Sequence, residues 1–303
     1  MSWSLPGEWS ARRSAAPGDP TLTLPGPSGH PRPAPSPALL DGWSRFGELA
    51  LAGRGGMGRV YRARDRRHRR TVAVKVLVDG RERGDALREA RLQARVDHPA
   101  VLPVLDHGRV GGFPWFSMPF VAGSTLRAAR PAMSLGEALR LVRDLCRAVA
   151  AVHRRGIVHC DLNPGNVLVA RRGGRLDAWL IDFGIAREAG ARRGTPRRFG
   201  TPAYMAPEQA LAGDAAVDLR TDVYGLGATL YELAARRQPF PAATCEAVLA
   251  RRLGDEAPPL ADPAPDAPAG LDRVVRRCLA REPADRYPSA GALAEALDRL
   301  PVC

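Results

Sequence analysis

The chain has 303 residues, 45% of them hydrophobic, enough to bury one substantial core or two modest ones. The formal charge of +13 is spread along the whole sequence and carried almost entirely by arginine, so it argues weakly for nucleic acid, and no nucleic-acid partner is expected. The five cysteines, at irregular spacing and without a C-x-x-C pair, read as reduced thiols; with no leader pattern and no run of ~18 apolar residues, a cytoplasmic protein without a membrane span is expected.

Residues 1–42, typified by "PGDPTLTLPGPSGHPRPAPSPALL", are Pro-rich and show neither strand nor helix periodicity. Such a segment buries too little surface to offset its chain entropy and is expected to be a disordered tail, in which Trp3 and Trp9 are incidental. From Trp43 the texture changes. "FGELALAGRGGMGRVYRARD" reads as two antiparallel strands joined by a glycine turn, and "RRTVAVKVLVD" as a third, with Val72, Val74 and Val76 alternating with Ala73, Lys75 and Leu77. "GDALREARLQARVDHP" predicts a helix capped by Asp85 and closed before Pro99. "SLGEALRLVRDLCRAVAAVHRRG" opens with Ser134 and Glu137 as a capping box and sets Leu135, Leu139, Val142, Leu145, Val149 and Val152 on one stripe. "TDVYGLGATLYELAARR" is apolar on nearly every side and predicts a buried helix. The expected fold is α+β, with a small β-rich lobe (43–120) followed by a larger helical lobe (121–300).

Two features carry chemistry. Gly53, Gly55 and Gly58 stand at G-x-G-x-x-G spacing, which lets main-chain N–H groups approach phosphate oxygens with no Cβ in the way. A dinucleotide-binding turn would lead into a helix, whereas Val60 and Tyr61 begin another strand, and that reading is set aside. Lys75 is the only lysine in the chain, against 44 arginines. A compact ammonium fits between phosphate oxygens and a carboxylate where a planar guanidinium is too large and differently directed.

"GRGGMGRV", "VAVK", "HCDLNPGN", "DFG" at Asp182–Gly184 and "APE" at Ala206–Glu208 resemble, in order and spacing, the motifs of a protein kinase domain, above all those of bacterial eukaryote-like Ser/Thr kinases. The resemblance spans about residues 43 to 300 and implies a bilobal protein-kinase fold that binds ATP and Mg²⁺ and phosphorylates Ser or Thr of a protein substrate. It implies that Lys75 holds the α- and β-phosphates and pairs with Glu89, that Asp161 accepts or orients the substrate hydroxyl, and that Asn166 and Asp182 hold the metal ions. The nucleotide is expected against Leu51, Gly53, Gly55, Gly58 and Val60 and along "SMPFVAG", with Met118 behind the base, Pro119 offering only its carbonyl and Val121 an N–H. By the same resemblance Thr201 touches Asp161, Thr195 is a candidate phosphosite, Asp222 braces the catalytic loop and Arg286 pairs with Glu208. Homodimer formation is left open.

Two residues depart from the family pattern. Cys160 stands where an arginine normally receives the activation-loop phosphate, which weakens switching through Thr195. Asn163 replaces a lysine that reaches the transferred phosphoryl group, a loss on the order of 2–4 kcal/mol of transition-state stabilisation. An active Ser/Thr kinase is therefore weighed against an ATP-binding pseudokinase scaffold, and against a small-molecule phosphotransferase, which "GTPAYMAPE" and "TDVYGLG" disfavour.

Overall fold

The computed structural model describes residues 43–55, 58–77, 87–189, 201–211, 217–242, 244–260 and 267–301; the Pro-rich segment 1–42 with Trp3 and Trp9, and also Asp85 and Thr195, lie outside the described residues. The first lobe is an antiparallel sheet of β1 (Phe46–Gly55), β2 (Gly58–Asp65), β3 (Arg70–Leu77), β4 (Asp106–Val110) and β5 (Phe113–Pro119), in the order β1-β2-β3-β5-β4. The alternation in β3 feeds two apolar clusters, one on each face. Val72, Val74 and Val76 pack with Phe46, Tyr61 and Trp115, while Ala73 and Leu77 pack with Phe116 and Met118. Trp43, Phe46 and Trp115 meet edge to face, with centroids 4.6 to 5.2 Å apart.

Helix α1 (Arg88–Ala94) is shorter than its sequence suggests, because it closes well before Pro99. The N–H groups of Arg95 and Val96 turn back onto the carbonyls of Leu92 and Gln93, three residues earlier, which tightens the end into a 3₁₀-type turn. The Gln93 amide then donates to the Leu102 carbonyl (2.7 Å) and ties the helix to the strand-bound loop.

The second lobe begins with β6 (Ser124–Thr125), α2 (Leu126–Ala129) and α3 (Leu135–Arg154). The capping box of α3 forms as expected: Ser134 Oγ accepts from Glu137 N–H and Glu137 accepts from Ser134 N–H. Leu139, Val142, Leu145, Val149 and Val152 are buried along its inner face, and Leu135 is partly buried. After β7 (Ile157–Val158), β8 (Val167–Arg172) and β9 (Arg175–Leu180) form a sheet in the order β6-β8-β9, and β10 (Arg187–Glu188) pairs with β7. The remaining helices are α4 (Pro207–Leu211), α5 (Leu219–Ala235), α6 (Cys245–Gly254), α7 (Leu271–Cys278) and α8 (Ala290–Asp298). Every residue of α5 from Thr221 to Ala235 is buried, so the uniformly apolar helix is the axis around which α3, α7 and α8 pack. Its Gly225 has a positional reason: a Cβ there would lie 3.0 Å from both Cβ and the carbonyl oxygen of Leu162, so glycine lets the axis touch the catalytic loop. Among the described residues no helix is long and apolar enough to cross a membrane.

Candidate active site

The stretch from His159 to Asn166 is held from below by one buried carboxylate. Asp222, near the start of α5, accepts from the N–H of His159 and of Cys160 (2.8 Å each), and His153 Nε2 lies 2.9 Å from it. These bonds keep Cys160 at φ 66°, a left-handed conformation unfavourable for a side chain with a Cβ. The reversal sends Asp161 upward. Its Oδ1 accepts from Thr201 N–H (2.9 Å) and Asn163 Nδ2 (3.1 Å), and its Oδ2 from Asn166 Nδ2 (2.8 Å). Thr201 thus meets Asp161 through its main chain. Asn163 caps the 3₁₀ turn Pro164–Asn166, with its Oδ1 accepting from Gly165 N–H at 2.8 Å, so one amide shapes the turn and steadies the carboxylate.

On the opposite side of the cleft, β3 supplies Lys75 and α1 supplies Glu89. Lys75 Nζ lies 2.6 Å from Glu89 Oε1 and 3.1 Å from Asp182 Oδ1, with both Lys75 and Glu89 buried. Burial works against the lysine's charge, but the two carboxylates outweigh it and raise its pKa. Burial pushes Glu89 up to about 7, against the pull of Lys75. Asp182 goes the other way: burial opposes its charge, yet Lys75 and the Gly184 N–H (3.2 Å) hold its carboxyl below the ordinary range. Asp182 also adopts a left-handed φ of 64°, and Phe183 beside it packs edge-on against the His159 ring at 4.9 Å, joining the two loops.

Asn166 and Asp182 fit a small, hard cation. The Asn166 amide nitrogen donates to the Asp161 carbonyl (2.9 Å) and carboxylate, which leaves its amide oxygen as the atom that could serve a metal ion together with the carboxylate of Asp182. Two oxygen donors of this kind suit Mg²⁺, which takes one or two protein groups and completes its shell with phosphates and water.

Of the residues expected around the nucleotide, Val60, Met118 and Val121 fall in one apolar cluster. Val60 pairs with Lys75 and Met118 with Ala73 across the sheet, and Val60, Met118 and Val121 share one cluster with Ala73, Leu168 and Ile181. Pro119 ends β5, and Leu51 is exposed on β1. Gly53 lies opposite Val60 and Gly55 opposite Gly58; a Cβ on Gly58 would fall 2.3 Å from the Val76 carbonyl, so no other residue fits there. Leu168 and Ile181 escaped the sequence reading, although one stands two residues beyond Asn166 and the other immediately before Asp182. Gln209 escaped it too: its amide accepts from Ala206 N–H and donates to the Cys160 carbonyl (2.9 Å each), fastening the segment after Thr201 to the catalytic loop.

The protein kinase domain family matches residues 46–297. The chain belongs to that family. This kinase domain is 40% identical over 260 residues to the DNA damage-responsive serine/threonine-protein kinase RqkA of Deinococcus radiodurans, covering 82% of this chain and 38% of that one. It is 37% identical over 266 residues to the serine/threonine-protein kinase PknD of Mycobacterium tuberculosis (83% and 39% covered) and 36% identical over 274 residues to PknL of the same organism (87% and 67%). The chain therefore spans under two fifths of the length of RqkA and PknD. Among solved structures, the kinase domain of Mycobacterium tuberculosis PknI superposes with a TM-score of 0.64 at 30% identity, over 84% of this chain and 95% of that one. The bilobal kinase fold follows from the likeness and from the two lobes described above. In this kinase domain Arg286 grips Glu208 with both terminal nitrogens (2.7 and 2.8 Å), as expected. Cys160, in contrast, sits in an apolar nest with Val158, Val217, Ile185 and Leu219, which shows what occupies the place of the usual arginine.

Proposed function

We propose that the kinase domain transfers the γ-phosphoryl group of ATP to Ser or Thr hydroxyls of protein substrates. The observation that carries this reading is the state of Asp161: three N–H donors, one of them from Thr201 in the segment that would receive the acceptor, fix a half-buried carboxylate in one orientation. Asp161 orients the hydroxyl and takes its proton as that oxygen bonds to the γ-phosphorus and the bond to the β,γ-bridging oxygen breaks, releasing ADP. Lys75, kept in place by Glu89, neutralises the α- and β-phosphates. Asn166 and Asp182 would hold Mg²⁺, which would offset the charge that develops on the phosphates. The catalytic unit comprises residues 43–300, acting in the cytoplasm on proteins, with the segment 1–42 outside the catalytic machinery.

The decisive experiment incubates purified protein with labelled ATP and Mg²⁺ and analyses the products by mass spectrometry. Phosphate on Ser or Thr of the chain or of an added protein supports the proposal. ATP bound but not consumed would replace it with the pseudokinase reading, which the loss of the lysine at position 163 favours.

A further inference from the structure

The lysine missing at position 163 leaves the catalytic loop without a cation of its own, yet a guanidinium has come in from elsewhere in the fold. Arg127 is the second residue of α2, a four-residue helix pinned by the fully buried Leu126 and capped by Thr125, whose Oγ1 accepts from Ala128 N–H (3.3 Å). Its Nη2 is 3.4 Å from Asn163 Oδ1, the same oxygen that receives Gly165 N–H. The guanidinium lies over the ring of Tyr204, 5.7 Å from its centroid, so it spans the catalytic loop and the turn Pro202–Tyr204 that follows Thr201. Gly165 borders both groups: a Cβ there would fall 2.9 Å from Asn163 Oδ1, too close to fit without a shift, and 3.7 Å from Arg127 Nη2, an ordinary contact. Among the described residues no carboxylate pairs with Arg127. The carboxylate next to Tyr204, Glu232, is engaged by the Tyr204 hydroxyl and by Arg130 (2.6 Å).

Resting on the kinase reading above, we propose that Arg127 and Asn163 divide the task of the missing lysine, with Arg127 as a positioning residue that acts on Asp161 through the Asn163 amide. The two bonds form a directed chain, from guanidinium to amide oxygen and from amide nitrogen to carboxylate. A cation on the oxygen end of an amide polarises it and strengthens its N–H as a donor, so Asp161 is held more firmly than a neutral asparagine alone could hold it. The guanidinium also brings a positive charge beside the loop that carries Asp161, and negative charge would spread over the transferred group there.

The test is a steady-state comparison of wild type with Arg127→Ala, Arg127→Gln, Arg127→Lys, Asn163→Lys and the Arg127→Ala/Asn163→Lys double variant, using ATP, Mg²⁺ and a protein acceptor. Arg127 is exposed on α2, so its three single variants are expected to fold with an unchanged thermal midpoint, while Asn163 is buried, so the two variants that alter it are compared at a temperature where each is fully folded. Arg127→Ala and Arg127→Gln should each lower kcat about tenfold, with KM for ATP within about twofold of wild type, while Arg127→Lys keeps most of the rate. Asn163→Lys alone trades the amide that caps the turn and holds Asp161 for an ammonium, so it serves as the reference for the double variant: with a cation already at position 163, adding Arg127→Ala should lower kcat by less than about twofold. An active wild type with an unaffected Arg127→Ala overturns the proposal, as does an equal loss on Arg127→Ala in the wild-type and Asn163→Lys backgrounds. A rise only in KM for the protein acceptor overturns it in favour of an acidic-substrate contact. A wild type that binds ATP and transfers nothing instead removes the kinase reading itself, and this proposal with it.

Discussion

Removing the carboxylate of Asp222 tests whether the catalytic loop holds its shape by itself. Asp222 is 1% exposed and accepts two main-chain N–H bonds from consecutive residues, one of which belongs to Cys160 at φ 66°. Asp222→Ala leaves both donors buried without an acceptor, at about 1–3 kcal/mol each, hence about 2–6 kcal/mol of stability. Asp222→Asn keeps one acceptor oxygen and turns an NH₂ toward the other donor, so about half that loss is expected. Relaxing the left-handed Cys160 would recover about 1–2 kcal/mol, and that recovery drives the loop to rearrange and carry Asp161 out of line. Urea unfolding followed by circular dichroism measures the first effect. The second is read as kcat at a temperature where each variant is fully folded, and it should fall at least about a hundredfold for alanine, or ~2.7 kcal/mol. Equal stability losses for alanine and asparagine would show that volume rather than the acceptor matters. A folded alanine variant with wild-type kcat would refute the bracing argument outright.

Other consequences follow from the same geometry. Lys75→Arg should abolish transfer although charge is kept, because the guanidinium cannot occupy the slot between Glu89 and Asp182; retention of more than about a tenth of the rate contradicts the role. Glu89, with its pKa raised to about 7, holds its proton more tightly in the folded than in the unfolded chain, so its contribution to stability is lost as pH rises through about 7. The pairing with Lys75 runs the opposite way: kcat/KM for ATP should fall as pH drops from about 8 to about 6, and Glu89→Gln should remove that limb of the profile. Arg286→Ala strips a buried carboxylate of its bidentate partner and the carbonyls of Ala280, Arg220 and Arg281 of a donor, and should cost about 3–5 kcal/mol in urea unfolding. Pairing it with Glu208→Gln should cost less than the sum of the single changes.

The features that the sequence made legible are those written in adjacent residues. The alternation through Val72–Leu77 announced β3 because one short repeat feeds two clusters, and Ser134 with Glu137 announced α3 because a capping box is local chemistry. The meeting of Asp161 with Asn166 was legible for the same reason, since only four residues separate them and the turn Pro164–Asn166 ends the short loop between them. The end of α1 was not: Pro99 suggested a later stop, but the chain turns as soon as Gln93 can reach Leu102, a contact that depends on the loop beyond. The nest around Cys160 draws on Val217 and Leu219, which lie in no periodic pattern with it. The approach of Arg127 to Asn163 joins positions 36 apart through a helix of four residues, too short to leave a signature, in a chain where arginine is everywhere.

The solitary lysine has a practical consequence. In the 303-residue chain an amine-directed reagent finds only the terminal amine and Lys75, and Lys75 is 7% exposed and locked against two carboxylates. Acylation of that one ε-amine therefore reports opening of the cleft against the terminal amine as the one other site, and a lysine-specific protease has a single internal cutting point, in the middle of β3. Mass spectrometry of the intact chain would count these events as whole adducts, which makes the protein its own gauge of how often the cleft comes apart, and of how far a nucleotide shuts it.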